Sequence, residues 1–419
     1  FNRNSTWGGA RPIPPLRRVA GTVPPMGYAF LALATPAGDD LRAGPEMLEN
    51  AHYRLRIDPQ TGALAELYDK ALGHDFAGSY KGWRPGQYIY EEVDSPAGRL
   101  AINNYDFSHP DFFVGHRDTP WKRSVASRVT LGAPVVGEGR AALEIRIEAP
   151  GVRGATLTYW LETGGRFVAV DWVLDKLANA EPEAVFIAFP FNLSGQDFRL
   201  DLNGIPAVPN RDQLDGAAKD WYPVQRWADV SDAERGVTVV PLDAPLFNLG
   251  GITTGKWNRT LEPEGPTLMS WALNNHWMVN FKATQEGRIP LRYRLATHAG
   301  PVDAGAAARF AAEMSAPPVV LRDIRATGPR ADSFFSVDPA LPVLVTSKPG
   351  EAPGTVALRV QNLAEAATEA VVAFAQAPAG ARRADPIEHA GATLPLQGGR
   401  LRVALAPLEI VTVIVSFGP

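Results

Sequence analysis

Glu49-Asn50-Ala51-His52-Tyr53-Arg54-Leu55-Arg56-Ile57-Asp58-Pro59-Gln60-Thr61-Gly62-Ala63-Leu64-Ala65-Glu66-Leu67-Tyr68-Asp69-Lys70 decides how the rest of the chain is read. Tyr53, Leu55 and Ile57 alternate with Arg54 and Arg56, the period of a strand that buries one face. Asp58-Pro59 begins a turn, because proline presets its backbone angle and aspartate can accept from the turn amides. Gly62 can take the positive φ that closes the turn, and Leu64 and Leu67 carry the chain back. The stretch predicts a β-hairpin.

The same alternation continues downstream. Leu143, Ile145 and Ile147 alternate with Glu144, Arg146 and Glu148; Leu157, Tyr159 and Leu161 follow, then a Gly164-Gly165 turn, then Val168, Val170, Trp172 and Leu174. Residues 185–193 are apolar on both faces, as in a strand buried between layers. Residues 46–300 therefore predict one antiparallel sandwich, too long for an immunoglobulin-sized unit. Residues 1–45 hold Pro12, Pro14, Pro15, Pro24, Pro25 and Pro36 around one strand at 27–34, and they read as an edge strand or connector. Residues 303–315 predict a helix, capped by Asp303, rich in alanine and stopped by Pro317-Pro318, so 301–318 reads as a helical connector. Val356-Leu358-Val360, Leu401-Val403-Leu405 and the closing 410–417 run predict a smaller sandwich over 319–419.

Composition narrows the partners. With 45% of 419 residues hydrophobic and 21% charged, the chain can fill two or three domains. A net charge of -4 gives no reason to expect nucleic acid or an anionic membrane. No apolar run approaches the ~20 residues that span a bilayer, so a soluble protein is expected, bacterial and cytoplasmic in flavour. A chain starting at Phe1 without a basic-then-apolar leader reads as a mature or excised fragment. Cysteine is absent, which excludes disulfides and thiolate metal sites. The Asn-x-Ser/Thr triplets at Asn4, Asn192 and Asn258 read as chance matches in an Ala/Arg/Pro-rich chain.

The wording of the 49–70 hairpin resembles the start of the large C-terminal β-domain of glycoside hydrolase family 38, the α-mannosidases. Further phrases resemble that family in order over about residues 24–300. They are Pro24-Pro25-Met26-Gly27-Tyr28, Phe189-Pro190-Phe191, Gln225-Arg226-Trp227 with Asp229-Val230-Ser231, Asp243-Ala244-Pro245-Leu246, and Leu273-Asn274-Asn275-His276-Trp277 with Asn280-Phe281. The resemblance implies an all-β fold: a large mutarotase-like β-supersandwich, then a smaller immunoglobulin-like β-sandwich, after a short proline-rich N-terminal β segment.

It also implies retaining hydrolysis of mannosides, with one zinc held by two histidines and two aspartates, one of these also the nucleophile, and a separate carboxylic acid. In the family those groups sit on an N-terminal barrel and the helical bundle after it. No alternating strand–helix pattern occurs here, so the expectation is no catalytic residue and no metal ligand in this chain, with zinc in the missing catalytic domain. The expected partners are that barrel, that bundle and mannose-containing glycans, and the chain alone should be inactive. Two alternatives stand beside this: a stand-alone carbohydrate-binding protein, or a mutarotase-like epimerase pairing His116 or His276 with Glu91 or Glu92.

One site residue carries over from the resemblance. Pro85-Gly86-Gln87-Tyr88-Ile89-Tyr90 is similar to the family's Gly-x-Tyr, whose tyrosine reaches the neighbouring sugar site, so Tyr88 is the expected substrate contact. Glu91-Glu92 stands where the family has a proline. Tyr88 and Tyr90 share a strand face, which leaves a cross-strand aromatic role equally open. The histidines (His52, His74, His109, His116, His276, His298, His389) form no H-x-H or H-E-x-x-H pattern. The 103–113 loop, with His109 and the nearby His116, reads as a cover over the sandwich, the alternative being the lining of a sugar or metal pocket. Trp172, Trp227 and Trp277 are expected in the core, and Asn274, Asn275 and His276 at a strand end.

Overall fold

In the computed structural model, residues 23–24, 26–31, 40–93, 121–253, 258–276, 282, 284–321, 325 and 327–418 are described. The hairpin forms as its alternation requires. Tyr53–Ile57 pairs antiparallel with Leu64–Asp69, Leu55 opposite Leu67, with a register shift between Arg56 and Ile57. Asp58 holds the turn by accepting from the Gln60 amide and the Thr61 hydroxyl, each at 2.9 Å, and Gly62 sits at φ 73°. On the outer face Arg54 makes a bidentate pair with Glu66, at 3.0 and 2.7 Å.

This hairpin is the centre of a five-stranded sheet running in sequence order from Arg42–Gly44 to His74–Asp75. A ten-stranded sheet has at its middle the order Arg140–Glu148, Val152–Glu162, Val168–Lys176, Gly287–Ala299, Arg235–Pro241 and Ala228–Ser231. A six-stranded sheet is centred on Thr267–Asn274, Glu183–Pro190 and Gln87–Val93. The three share one core: Leu55 and Leu67 from the first, Leu157 and Trp172 from the second, Ile187 and Phe189 from the third. Glu183–Pro190 is buried on both faces, as its continuous apolar run requires.

Helix Ala304–Ser315 is the one helix among the described residues. Asp303 caps it, accepting from the Ala306 amide at 2.9 Å. It lies on the outer face of the ten-stranded sheet, with Ala307 and Ala311 on Trp227 and Val240, and Phe310 and Met314 on Trp160 and Phe167. Trp172 is thus in the main core, whereas Trp227 is buried beneath the helix; Trp277 lies outside the described residues.

A four-stranded and a five-stranded sheet follow and enclose a second core, around Leu358, Val372, Leu401 and Val413. Gly27–Ala29 pairs with Ala331–Ser333, so the early strand is joined to the entrance of this smaller sandwich and not to the large one. A Cβ on Gly27 would stand 2.1 Å from the Asp332 carbonyl oxygen, which explains why glycine occupies the crossing. The architecture is all-β, two sandwiches in series.

Candidate functional site

Strand Gln87–Val93 carries the residues singled out by the sequence. Gly86 precedes it at φ 86°, and a Cβ there would come within 2.3 Å of the Tyr159 hydroxyl. The Gly86 carbonyl accepts from the Trp172 indole at 3.2 Å. Period-two alternation then sends Tyr88 and Tyr90 into the shared core, and Ile89 into a cluster on the opposite face.

Tyr88 is 1% exposed, tilted against Trp172 at 5.9 Å, and its hydroxyl donates to the Pro150 carbonyl at 2.8 Å. Burial pushes the phenol far above its usual range. The ring and its hydroxyl are both taken up inside the sandwich, so in this structure Tyr88, the expected substrate contact, is placed in the core. The cross-strand aromatic role describes its placement.

Of the four pairings weighed for an acid–base site, the structure brings together Glu91 and His276. The His276 Nε2 lies 3.6 Å from Glu91 Oε1, with both side chains fully buried. Arg123, on the adjacent Trp121–Ser124 strand, donates from Nε to Glu91 Oε2 at 2.6 Å. The imidazole stacks on Trp121 (4.5 Å, 28°) and leans on Trp271 at 5.3 Å, and Trp271 is stacked in turn on Phe186. Burial raises the Glu91 carboxyl above its usual range, with the Arg123 guanidinium opposing it. Glu92 instead faces Lys122 at 3.3 Å near the surface. His109, His116 and the 103–113 loop lie outside the described residues. Both side chains are closed off from solvent. They form a buried polar contact between Gln87–Val93 and the residues just past Thr267–Asn274, while Asn275 donates to the Asn179 and Glu181 carbonyls there, at 3.1 and 3.2 Å.

Two further buried networks escaped the reading of the sequence. Lys176 Nζ donates to Glu183 at 2.6 Å, and Glu183 also accepts from the Tyr90 hydroxyl at 2.6 Å and from Asn179 at 3.1 Å. The signal was present: Lys176 continues the inward series Val168, Val170, Trp172, Leu174, and Glu183 opens the inward series Val185, Ile187, Phe189. On the outer face of the ten-stranded sheet, Asp229 accepts from the Thr238 hydroxyl at 2.6 Å and meets His298 Nε2 at 2.9 Å. Burial opposes charge on His298, yet the Asp229 carboxylate outweighs it and the net shift is upward.

Neither histidine–carboxylate pair fits a zinc site of two histidines and two aspartates. Each offers a single imidazole and a single carboxylate, and the described residues contain no group of three or more His, Asp or Glu placed to hold a metal ion.

Residues 48–244 match the model of the glycosyl hydrolases family 38 C-terminal domain. An α-mannosidase from Enterococcus faecalis V583 shares the fold with TM-score 0.66 at 15% identity, over 93% of this chain and 44% of its own. A protein in the glycosyl hydrolase family 38 from Enterococcus faecalis gives TM-score 0.65 at 13% identity, over 93% of this chain and 46% of its own. The chain thus spans less than half the length of these solved neighbours. No curated protein matches the sequence significantly.

Proposed function

We propose, from the match of residues 48–244 to the glycosyl hydrolases family 38 C-terminal domain model, that the chain is the β-rich supporting part of an α-mannosidase-like enzyme. Its two sandwiches pack on a catalytic barrel and helical bundle and hold them rigid. That other part carries the zinc, the nucleophile and the acid of a retaining reaction on mannose-containing glycans, and this chain supplies none of them.

One observation carries the reading. The likeness to the α-mannosidase takes in both sandwiches, 93% of this chain, yet accounts for 44% of that enzyme. The test is hydrolysis of a chromogenic α-mannoside by the purified chain, with and without added zinc. No turnover is expected in either condition, and the intact mass of the natural protein should lie well above 45.1 kDa. Zinc-dependent turnover by these residues alone would overturn the proposal.

A further inference from the structure

The outer face of the ten-stranded sheet is covered by the helix at one end and left open by the described residues at the other. That open end carries a groove of about 580 Å³ crossing Arg128–Leu131, Arg140–Glu148, Val152–Glu162, Val168–Lys176 and the start of Gly287–Ala299. That volume falls within the roughly 300–1,000 Å³ of ordinary ligand pockets. Four inter-strand steps of about 4.8 Å give it a reach of roughly 19 Å, long enough for a short chain of sugars.

Four guanidinium groups line this groove: Arg128, Arg146, Arg153 and Arg288. Their existing partners hold most of them loosely. Arg128 meets Glu148 at 3.1 Å and Arg146 meets Glu144 at 3.4 Å, all four side chains more than half exposed. Exposed pairs of this kind add little stability, so either arginine can turn to another anion at small cost. Arg288 has no carboxylate partner among the described residues. Only Arg153 is tied in two-point fashion, to Asp175 at 2.9 and 2.7 Å.

The floor is prepared by a backbone irregularity. The register between Val152–Glu162 and Val168–Lys176 shifts between Val152 and Gly154, and a Cβ added at Gly154 would meet nothing within 4 Å. The glycine leaves space open where a side chain would stand, and Thr130 and Thr156 line the same groove. Among the described residues, no aromatic ring lines the groove. A neutral pyranose therefore lacks the flat apolar platform on which it would stack. Attraction has to come from charge, and planar guanidinium forks match carboxylate and phosphate oxygens.

We propose that this groove is a binding site for an anionic oligosaccharide, its acidic groups held by Arg128, Arg146 and Arg288 and its hydroxyls by Thr130, Thr156 and Asp175. The proposal stands apart from the role of the chain in a mannosidase.

The experiment is calorimetric titration of the whole chain with a carboxylate-bearing oligogalacturonate, a phosphorylated mannose oligosaccharide and a neutral mannose oligosaccharide. Saturable binding of either acidic probe, weakening at higher salt, is expected, together with no saturable binding of the neutral one. Arg146→Gln/Arg288→Gln should weaken it by about tenfold or more, with an unchanged circular dichroism spectrum, since both side chains are exposed. Arg402→Gln, on the small sandwich, should leave it unchanged. Absence of saturable binding by both acidic probes, equal binding of the neutral sugar, or undiminished binding in the double variant overturns the assignment.

Discussion

Glu91 and His276 stand 3.6 Å apart, fully buried, from opposite ends of the sequence of the large sandwich. Glu91 lies beside the edge strand bearing Arg123, and His276 lies just past the end of Thr267–Asn274. Burial raises the carboxyl pKa in the folded protein, so the folded state favours the protonated acid more than the unfolded chain does. The stability from this group is fully present below the unfolded carboxyl pKa and is lost as pH rises through the folded one. Glu91→Gln, which imitates the protonated acid, should therefore gain on the wild type as pH rises from about 4.5 to neutrality. Melting temperatures of both proteins across that window test this; a gap that widens in favour of the wild type would contradict it.

His298 runs on the same logic with a base. Its pKa is raised in the fold, burial being outweighed by Asp229, so its contribution is complete below the unfolded histidine pKa and fades as pH climbs through the folded value. The stability difference between wild type and His298→Gln should be larger near pH 5.5 than near pH 8.5. Urea unfolding at the two pH values measures it.

Tyr88→Phe removes the hydroxyl that donates to Pro150 and leaves the ring against Trp172. The expected cost is about 0.5–1.5 kcal/mol of stability, the net worth of one hydrogen bond. Denaturant titration gives the value. A neutral substitution would show that this bond does not contribute to the fold.

Leu55 is fully buried at the middle of the 49–70 hairpin, in a core separate from that of the small sandwich. Leu55→Ala should cost about 2–5 kcal/mol through lost transfer energy and a residual cavity. Calorimetry should show two transitions, with the substitution lowering one of them. A single transition that shifts as a whole would mean that the helix and its contacts couple the two cores completely.

Much of this architecture was legible because strand periodicity is local. The turn at Asp58 and Gly62, the inward set of Val168 to Leu174, and the alanine-rich helix with its Asp303 cap each depend on neighbours in sequence, and each forms as read. The strand read at 27–34 forms over Gly27–Ala29 among the described residues, but its partner at 331–333 was not legible, since roughly three hundred residues separate them. Tyr88 shows the same limit from another side. Its strand and its face follow from alternation, whereas the choice between core and sugar site depends on what stands opposite.

The order of residues by itself determined the all-β class, the two sandwiches and which side chains point to one face. Only the tertiary structure decided which faces meet. It buried Tyr88 under Trp172, chose Glu91 over Glu92 for His276, closed Lys176 on Glu183, and set four arginines along one groove of the ten-stranded sheet. Side-chain alternation is a property of one strand, set by its backbone, while burial and pairing are properties of two or more strands and depend on how sheets stack.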